Sequence, residues 1–191
     1  GGTVTNCYNT GTVTATGSAA SVGGVCGLSI ELISNCYNIG TVTATGSDAD
    51  ISGICGYNFG PIKNCYYLAD TEDENGGKTA EQFKSGEVAY LLNFHQTIGE
   101  DEIPTLNEQA RAVVRLTLTY DETFGDDADT KELYYNAADE VMLEKSTDKA
   151  YTYRYFDGET ELTEDIYLMT GDAVLIVKKE AVKITLPIWA S

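Results

Sequence analysis

The chain has 191 residues, a hydrophobic share of 42% and a formal net charge of −18 at pH 7; that leaves room for two small domains and argues against wholesale disorder. So acidic a surface repels phosphate backbones and anionic bilayers, which disfavours nucleic acid and direct membrane insertion, and no stretch reaches the ~20 apolar residues of a spanning helix. The charge is uneven: residues 1–66 hold one cation (Lys63) and three anions (Glu31, Asp48, Asp50), whereas the remainder holds 11 cations and 27 anions, a compositional break near residue 68.

Residues 1–67 repeat. Asn6 to Ser18 reads NCYNTGTVTATGS and Asn35 to Ser47 reads NCYNIGTVTATGS, with only Thr10 against Ile39 differing; Asn64-Cys65-Tyr66 begins a third, shorter copy at the same spacing of 29. A fixed period in this range marks units that bury their apolar faces against one another. Each repeat is predicted to hold three short strands. One is centred on the Asn-Cys-Tyr triplet, one alternates over Thr12–Thr16 and Thr41–Thr45, and one covers Val22–Cys26 and Ile51–Cys55. Gly11, Gly17, Gly27, Gly40, Gly46 and Gly56 separate them and are read as turn residues at positive φ. The unit is one coil of a parallel β-solenoid.

The five cysteines follow the repeat phase: Cys7, Cys36 and Cys65 form one series, Cys26 and Cys55 another. There is no CxxC and the single histidine, His95, lies elsewhere, so a metal site is disfavoured. Free inward thiols stacked between rungs are the leading reading, with a disulfide as the alternative. Asn6, Asn35 and Asn64 are expected to form an amide ladder, and Tyr8, Tyr37 and Tyr66 a packing ladder. Gly1-Gly2 opens inside a repeat, which reads as a segment continuous with further repeats upstream.

Residues 68–110 read as an acidic loop followed by a helical cap or linker. Thr79-Ala80-Glu81-Gln82 fits a capping box, with Phe83, Val88, Leu91 and Leu92 on one apolar face and Gly86 interrupting it. Such a cap would cover the Cys65 coil, so Phe83→Ser and Leu91→Ser should both destabilise the repeats. Residues 111–191 read as a β-rich domain. Strands are predicted over 113–120, 132–136, 140–143, 151–156, 165–169, 173–178 and 182–186, with Asp157-Gly158 as a hairpin turn.

Two stretches carry family resemblances. Val22-Gly23-Gly24-Val25-Cys26-Gly27 followed by Ile33-Ser34-Asn35-Cys36-Tyr37-Asn38-Ile39-Gly40-Thr41-Val42, and Ile51 to Asn58 followed by Ile62 to Tyr66, resemble the GLUG repeat of bacterial surface proteins. Tyr153 to Gly158, Leu162 to Asp165 and Met169 to Ala173 resemble the C-terminal half of the Listeria–Bacteroides repeat, a β-grasp-like module. An immunoglobulin-like sandwich is the alternative fold for that domain. The first resemblance implies a large secreted or wall-attached protein, and a repeat that is not itself catalytic.

The residues agree with a non-enzymatic reading. No nucleophile–base–acid set is visible, no GxSxG surrounds a serine and no glycine-rich strand runs into GK[ST]; no cofactor is implied. Thr71, Asp73, Asn75 and Gly76 imitate an EF-hand frame that ends on Gln82 where glutamate is needed. Asp126, Asp127 and Asp129 form a weak calcium candidate in a loop. Tyr151, Tyr153 and Tyr155 share a strand face and are either core or a binding surface. The expected function is a non-catalytic adhesive, spacer or display segment of a bacterial surface or secreted protein, with a host protein or glycan as partner. The alternative is an accessory glycan- or protein-binding module of a secreted hydrolase or peptidase.

Overall fold

The near-identical copies adopt near-identical backbones that lie side by side. The computed structural model describes residues 2–182. The first repeat forms β1 (Val4–Thr5), β2 (Tyr8–Asn9), β3 (Val13–Ala15), β4 (Ser21–Gly23) and β5 (Cys26–Ser29). The second forms β6 (Ile33–Asn38), β7 (Val42–Ala44), β8 (Asp50–Ser52) and β9 (Cys55–Asn58), and the third begins with β10 (Ile62–Leu68). Pairing is parallel and follows the repeat: Val4 with Ile33, Tyr8 with Tyr37, Val13 with Val42, Val22 with Ile51, and Cys26 with Cys55. β10 continues beside β6, placing Cys65 on Cys36 and Tyr66 on Tyr37, and β11 (Gly77–Lys78) adds in parallel to β10.

The predicted Val22–Cys26 and Ile51–Cys55 strands each break in two. The chain folds so tightly there that a Cβ on Gly23 would lie 2.2 Å from the Cys26 carbonyl oxygen. Gly27, Gly40, Gly46 and Gly56 likewise serve close approach, and none of the described repeat glycines takes a positive φ; Gly11 and Gly17 meet no such crowding. The left-handed positions in the repeats are instead Asn6, Asn35 and Asn64, with φ of 52°, 51° and 47°, and Ala19 and Asp48; asparagine tolerates that region better than most residues. The Asn64 side-chain amide also donates to Asn35 Oδ1 at 3.2 Å, one rung of the ladder expected through Asn6, Asn35 and Asn64. A second ladder was not anticipated. The Asn9 amide donates to Asn38 at 2.8 Å, while Asn38 donates to the Gly40 carbonyl and accepts from the Gly40 amide. The hydroxyls of Thr14 and Thr43 meet at 3.2 Å on the outer face.

The interior of the stack is Ile33, Cys36, Ile54, Cys55 and Cys65. A second cluster builds the cap. α1 (Ala80–Lys84) starts at Thr79, whose hydroxyl accepts from the Gln82 amide while Gln82 Oε1 accepts from the Thr79 amide, a complete capping box. Gly86, at φ +92°, separates α1 from α2 (Glu87–Leu92). Phe83, Val88, Leu92 and Phe94 close on Tyr37, with Tyr66 and Ile39 beside them. The Tyr37 ring stacks on Tyr8 at 5.1 Å and meets Phe83 at 5.6 Å, and its hydroxyl donates to the Pro104 carbonyl. Leu91, expected on the same face, is 36% exposed. Lys78, buried at the foot of the cap, is held by Glu72 and Glu87, to both of which the Gln82 amide also donates.

The chain divides into two compact units after Val113, so residues 68–110 belong with the repeats. In the second unit, β12 (Val113–Tyr120) leads through a short 3-10 helix (Glu122–Asp127) to β13 (Thr130–Asn136) and β14 (Glu140–Met142). β15 (Tyr151–Asp157), β16 (Thr160–Glu161), β17 (Ile166–Leu168) and β18 (Ala173–Ala181) complete it. The sheet order is β13-β12-β18-β15-β16; β12 and β18 are parallel, β15 and β18 antiparallel, and β14 pairs separately with β17. Gly158 at φ +59° makes the predicted β15–β16 turn. The core is Leu116, Leu118, Val141, Leu143, Tyr155, Met169, Leu175 and Val177. The strand predicted over 182–186 lies, past Val182, outside the described residues. Among the described residues the protein is mostly β, with short helices, mostly parallel sheets and no closed barrel.

Candidate functional site

The surface of the repeats carries an apolar ridge that the sequence reading missed. Leu28 and Tyr57 are register partners at the ends of β5 and β9, and Ile30 and Phe59 follow each of them by two residues. All four are exposed, Phe59 at 68%. The rings of Tyr57 and Phe59 meet edge to face at 5.0 Å, so the pair forms a shaped platform.

Local chemistry fixes the ridge in place. The Phe59 amide donates to the Ser29 carbonyl at 2.9 Å, tying the two rungs together at this corner. In each rung the next side chain turns the chain: the Ser29 hydroxyl donates to the Glu31 carbonyl, and the Asn58 amide donates to the Gly60 carbonyl. With the backbone held this way, covering the ridge would cost side-chain rotamer freedom but little backbone freedom. A readable signal existed, because apolar residues at 28, 30, 57 and 59 repeat at the 29-residue step. The signal is faint because the near-identical segments end at Ser18 and Ser47, before this corner.

The tyrosines proposed as a binding stripe separate along their strand. Tyr155 is 5% exposed within the core of the second unit and donates its hydroxyl to the Glu144 carbonyl at 2.8 Å. It therefore presents no surface, and burial pushes its phenol up. Tyr153 is half-buried against Phe124 at 5.3 Å. Tyr151 is exposed, with Lys179 Nζ 4.4 Å from its ring centroid. The face is core at one end and rim at the other, because β15 runs from the edge of the hydrophobic cluster into it.

The carboxylate candidates are likewise dispersed. Asp126 and Asp127 close the 3-10 helix, while Asp129 accepts from the Thr130 amide at 2.7 Å. Among the described residues no three His, Cys, Asp or Glu side chains converge as a metal site. In the EF-hand-like stretch, Asp73 is occupied internally: it accepts from the Tyr67 hydroxyl and from the Asn75 and Gly77 amides. His95 is fixed by its backbone, exchanging hydrogen bonds with Thr105 at 3.0 and 2.8 Å.

All five thiols are free, with Cys36, Cys55 and Cys65 buried and Cys7 exposed. The contact with Cys65, together with burial, raises the Cys36 thiol well above its ordinary value, and burial raises Cys55. Cys36 and Cys55 are therefore poor nucleophiles, whereas the contact with Cys36 lowers the Cys65 thiol to about 7; each lies within reach of a carbonyl on its own strand, as Cys36 does with Ser34 and Cys55 with Tyr57.

Comparison with protein-family models, curated proteins and solved structures finds no match to this chain.

Proposed function

We propose that this chain is a non-catalytic adhesive or display segment of a bacterial cell-surface or secreted protein. In this reading the repeats form a short parallel β-solenoid of the GLUG type, closed by the α1–α2 cap. The second unit is β-grasp-like: its first and last described strands, β12 and β18, lie parallel and adjacent inside one mixed sheet, an arrangement that supports it over an antiparallel two-sheet sandwich. The observation that carries the function is the exposed ridge of Leu28, Ile30, Tyr57 and Phe59. Apolar side chains held out on a rigid repeat suit contact with a partner better than they suit folding.

The Tyr57–Phe59 platform also favours the second reading, an accessory module that stacks on sugar rings. Beads coated with the chain, flowed over mucin-coated and matrix-protein-coated surfaces and assayed in parallel on a glycan array, test both. Retention that falls when Leu28, Ile30, Tyr57 and Phe59 are all replaced by serine supports the adhesive reading. Array binding that falls with Tyr57→Ser and Phe59→Ser alone supports the accessory module. Polysaccharide or peptide cleavage by the isolated chain would overturn both.

A further inference from the structure

We propose that the open edge of the second repeat is a strand-addition site, which takes an extended, basic segment of another polypeptide along β7 and β8. The site exists because the third repeat is incomplete. Its Asn64-Cys65-Tyr66 pairs as the earlier copies do, but the positions that would supply the next Thr-Val-Thr-Ala-Thr strand are instead Asp70, Thr71, Glu72, Asp73 and Glu74. Beside Thr41 and Val42, where that strand would begin, there is a cleft of about 840 Å³ between the second repeat and the residues leading into α1.

The backbone at this edge is ready for a partner. Among the described residues β7 pairs only with β3, and β8 only with β4. The Thr41 carbonyl accepts from Val13, and the Thr45 amide donates to Ala15. In a parallel ladder, alternate residues direct their amide and carbonyl to opposite neighbours. Val42 and Ala44 therefore turn both groups toward the open edge. The Asp50 amide donates to the Ala20 carbonyl, so Ile51 likewise turns its backbone to the open side. An added strand continues a ladder already built from β3 and β7.

Side chains select the occupant. Ile51 lies in the cleft, 50% exposed, and Val42 beside it repeats the inward position of Val13. On the outer face, Thr43 extends the hydroxyl ladder begun at Thr14. A β-branched segment with the same alternation fits both rows. The far wall carries Asp70 and Glu81, both exposed, and none of the residues lining the cleft is basic. This asymmetry favours a segment with lysine or arginine at its ends. The inference is independent of the ridge and of the adhesive reading.

The test uses the full 191-residue chain and the capped peptide KTVTATK, titrated by NMR with amide hydrogen exchange. Saturable binding is expected, with slowed exchange at Val42 and Ala44. N-methylation of the peptide amides facing β7 should abolish it, because side chains are kept and pairing is lost. Ala44→Pro removes one donor at an edge position where proline is tolerated and should weaken binding. The double variant Asp70→Lys, Glu81→Lys leaves the repeats untouched and should weaken it about tenfold at low salt, a gap that closes as salt rises. No saturable binding, equal binding of the N-methylated peptide, or binding without protection of those two amides overturns the proposal. Self-association of the chain that the peptide fails to compete also overturns it, in favour of a homotypic contact.

Discussion

Val22 and Ile51 are register partners on adjacent rungs, yet Val22 is 4% exposed and Ile51 50%. The second repeat covers Val22, whereas the cleft leaves Ile51 open. The same truncation should therefore have different costs. Val22→Ala removes packed atoms and is expected to lower stability by about 1–3 kcal/mol, while Ile51→Ala only trims exposed surface and should stay within about 0.5 kcal/mol. Denaturant midpoints of the two variants check this, and equal losses would refute it.

The glycines make a second asymmetric pair. Gly17 and Gly46 sit at the same place in near-identical sequences. A Cβ on Gly46 would stand 1.9 Å from the Gly17 carbonyl oxygen, whereas a Cβ on Gly17 meets nothing within 4 Å. The obstacle is backbone and cannot move aside without opening the β3–β7 ladder. Gly46→Ala is expected to cost about 1–3 kcal/mol or more, with Gly17→Ala near neutral. Melting curves of the two variants of this 191-residue chain decide it.

Phe83 and Leu91 divide what one helical face would have joined. Phe83 is buried against Tyr37, and Leu91 is exposed on α2. Phe83→Ser should cost about 3–5 kcal/mol, through cavity and lost burial, and should loosen the Tyr8–Tyr37 stack. Leu91→Ser should be nearly silent. Tyrosine fluorescence and thermal unfolding read both effects, and comparable destabilisation would place Leu91 in the core after all.

These contrasts locate what the sequence could carry. Register was legible, because a strict period sets Cys36 beside Cys65 and Tyr37 beside Tyr66 wherever the chain stacks. The capping box at Thr79 and the turn at Gly158 were legible because each needs only local chemistry. Leu91 was misplaced because the two-helix break at Gly86, with φ +92°, rotates α2 out of the phase a single helix would keep. The cleft was hidden for another reason: it is created by the residues the third copy lacks, and a missing strand leaves no motif to read. The tyrosines of β15 were ambiguous because alternation assigns a face and not its depth.

Tyr67 and Asp73 give the last prediction, a dependence on pH. The Tyr67 hydroxyl donates to Asp73 Oδ2 at 2.5 Å, while Asp73 Oδ1 accepts from the Asn75 and Gly77 amides at 2.8 Å. The Tyr67 hydrogen bond, and then the Gly77 and Asn75 amides, hold the Asp73 carboxyl below its ordinary value. The same hydrogen bond, then burial and the carboxylate charge, push the Tyr67 phenol up to about 12. A carboxyl with a lowered folded pKa contributes stability that is present above its unfolded value, about 4, and is lost as pH falls through the folded one. A phenol with a raised folded pKa contributes stability that is present below its unfolded value, about 10, and is lost as pH rises toward the folded one. The wild type should therefore exceed Tyr67→Phe in stability across a plateau from about pH 5 to about pH 10, and the difference should shrink on both sides. Denaturant melts of the two proteins at acid, neutral and alkaline pH measure it. A difference that stays constant from neutral to strongly alkaline pH would show that the Tyr67 hydroxyl is not bound to a carboxylate in solution.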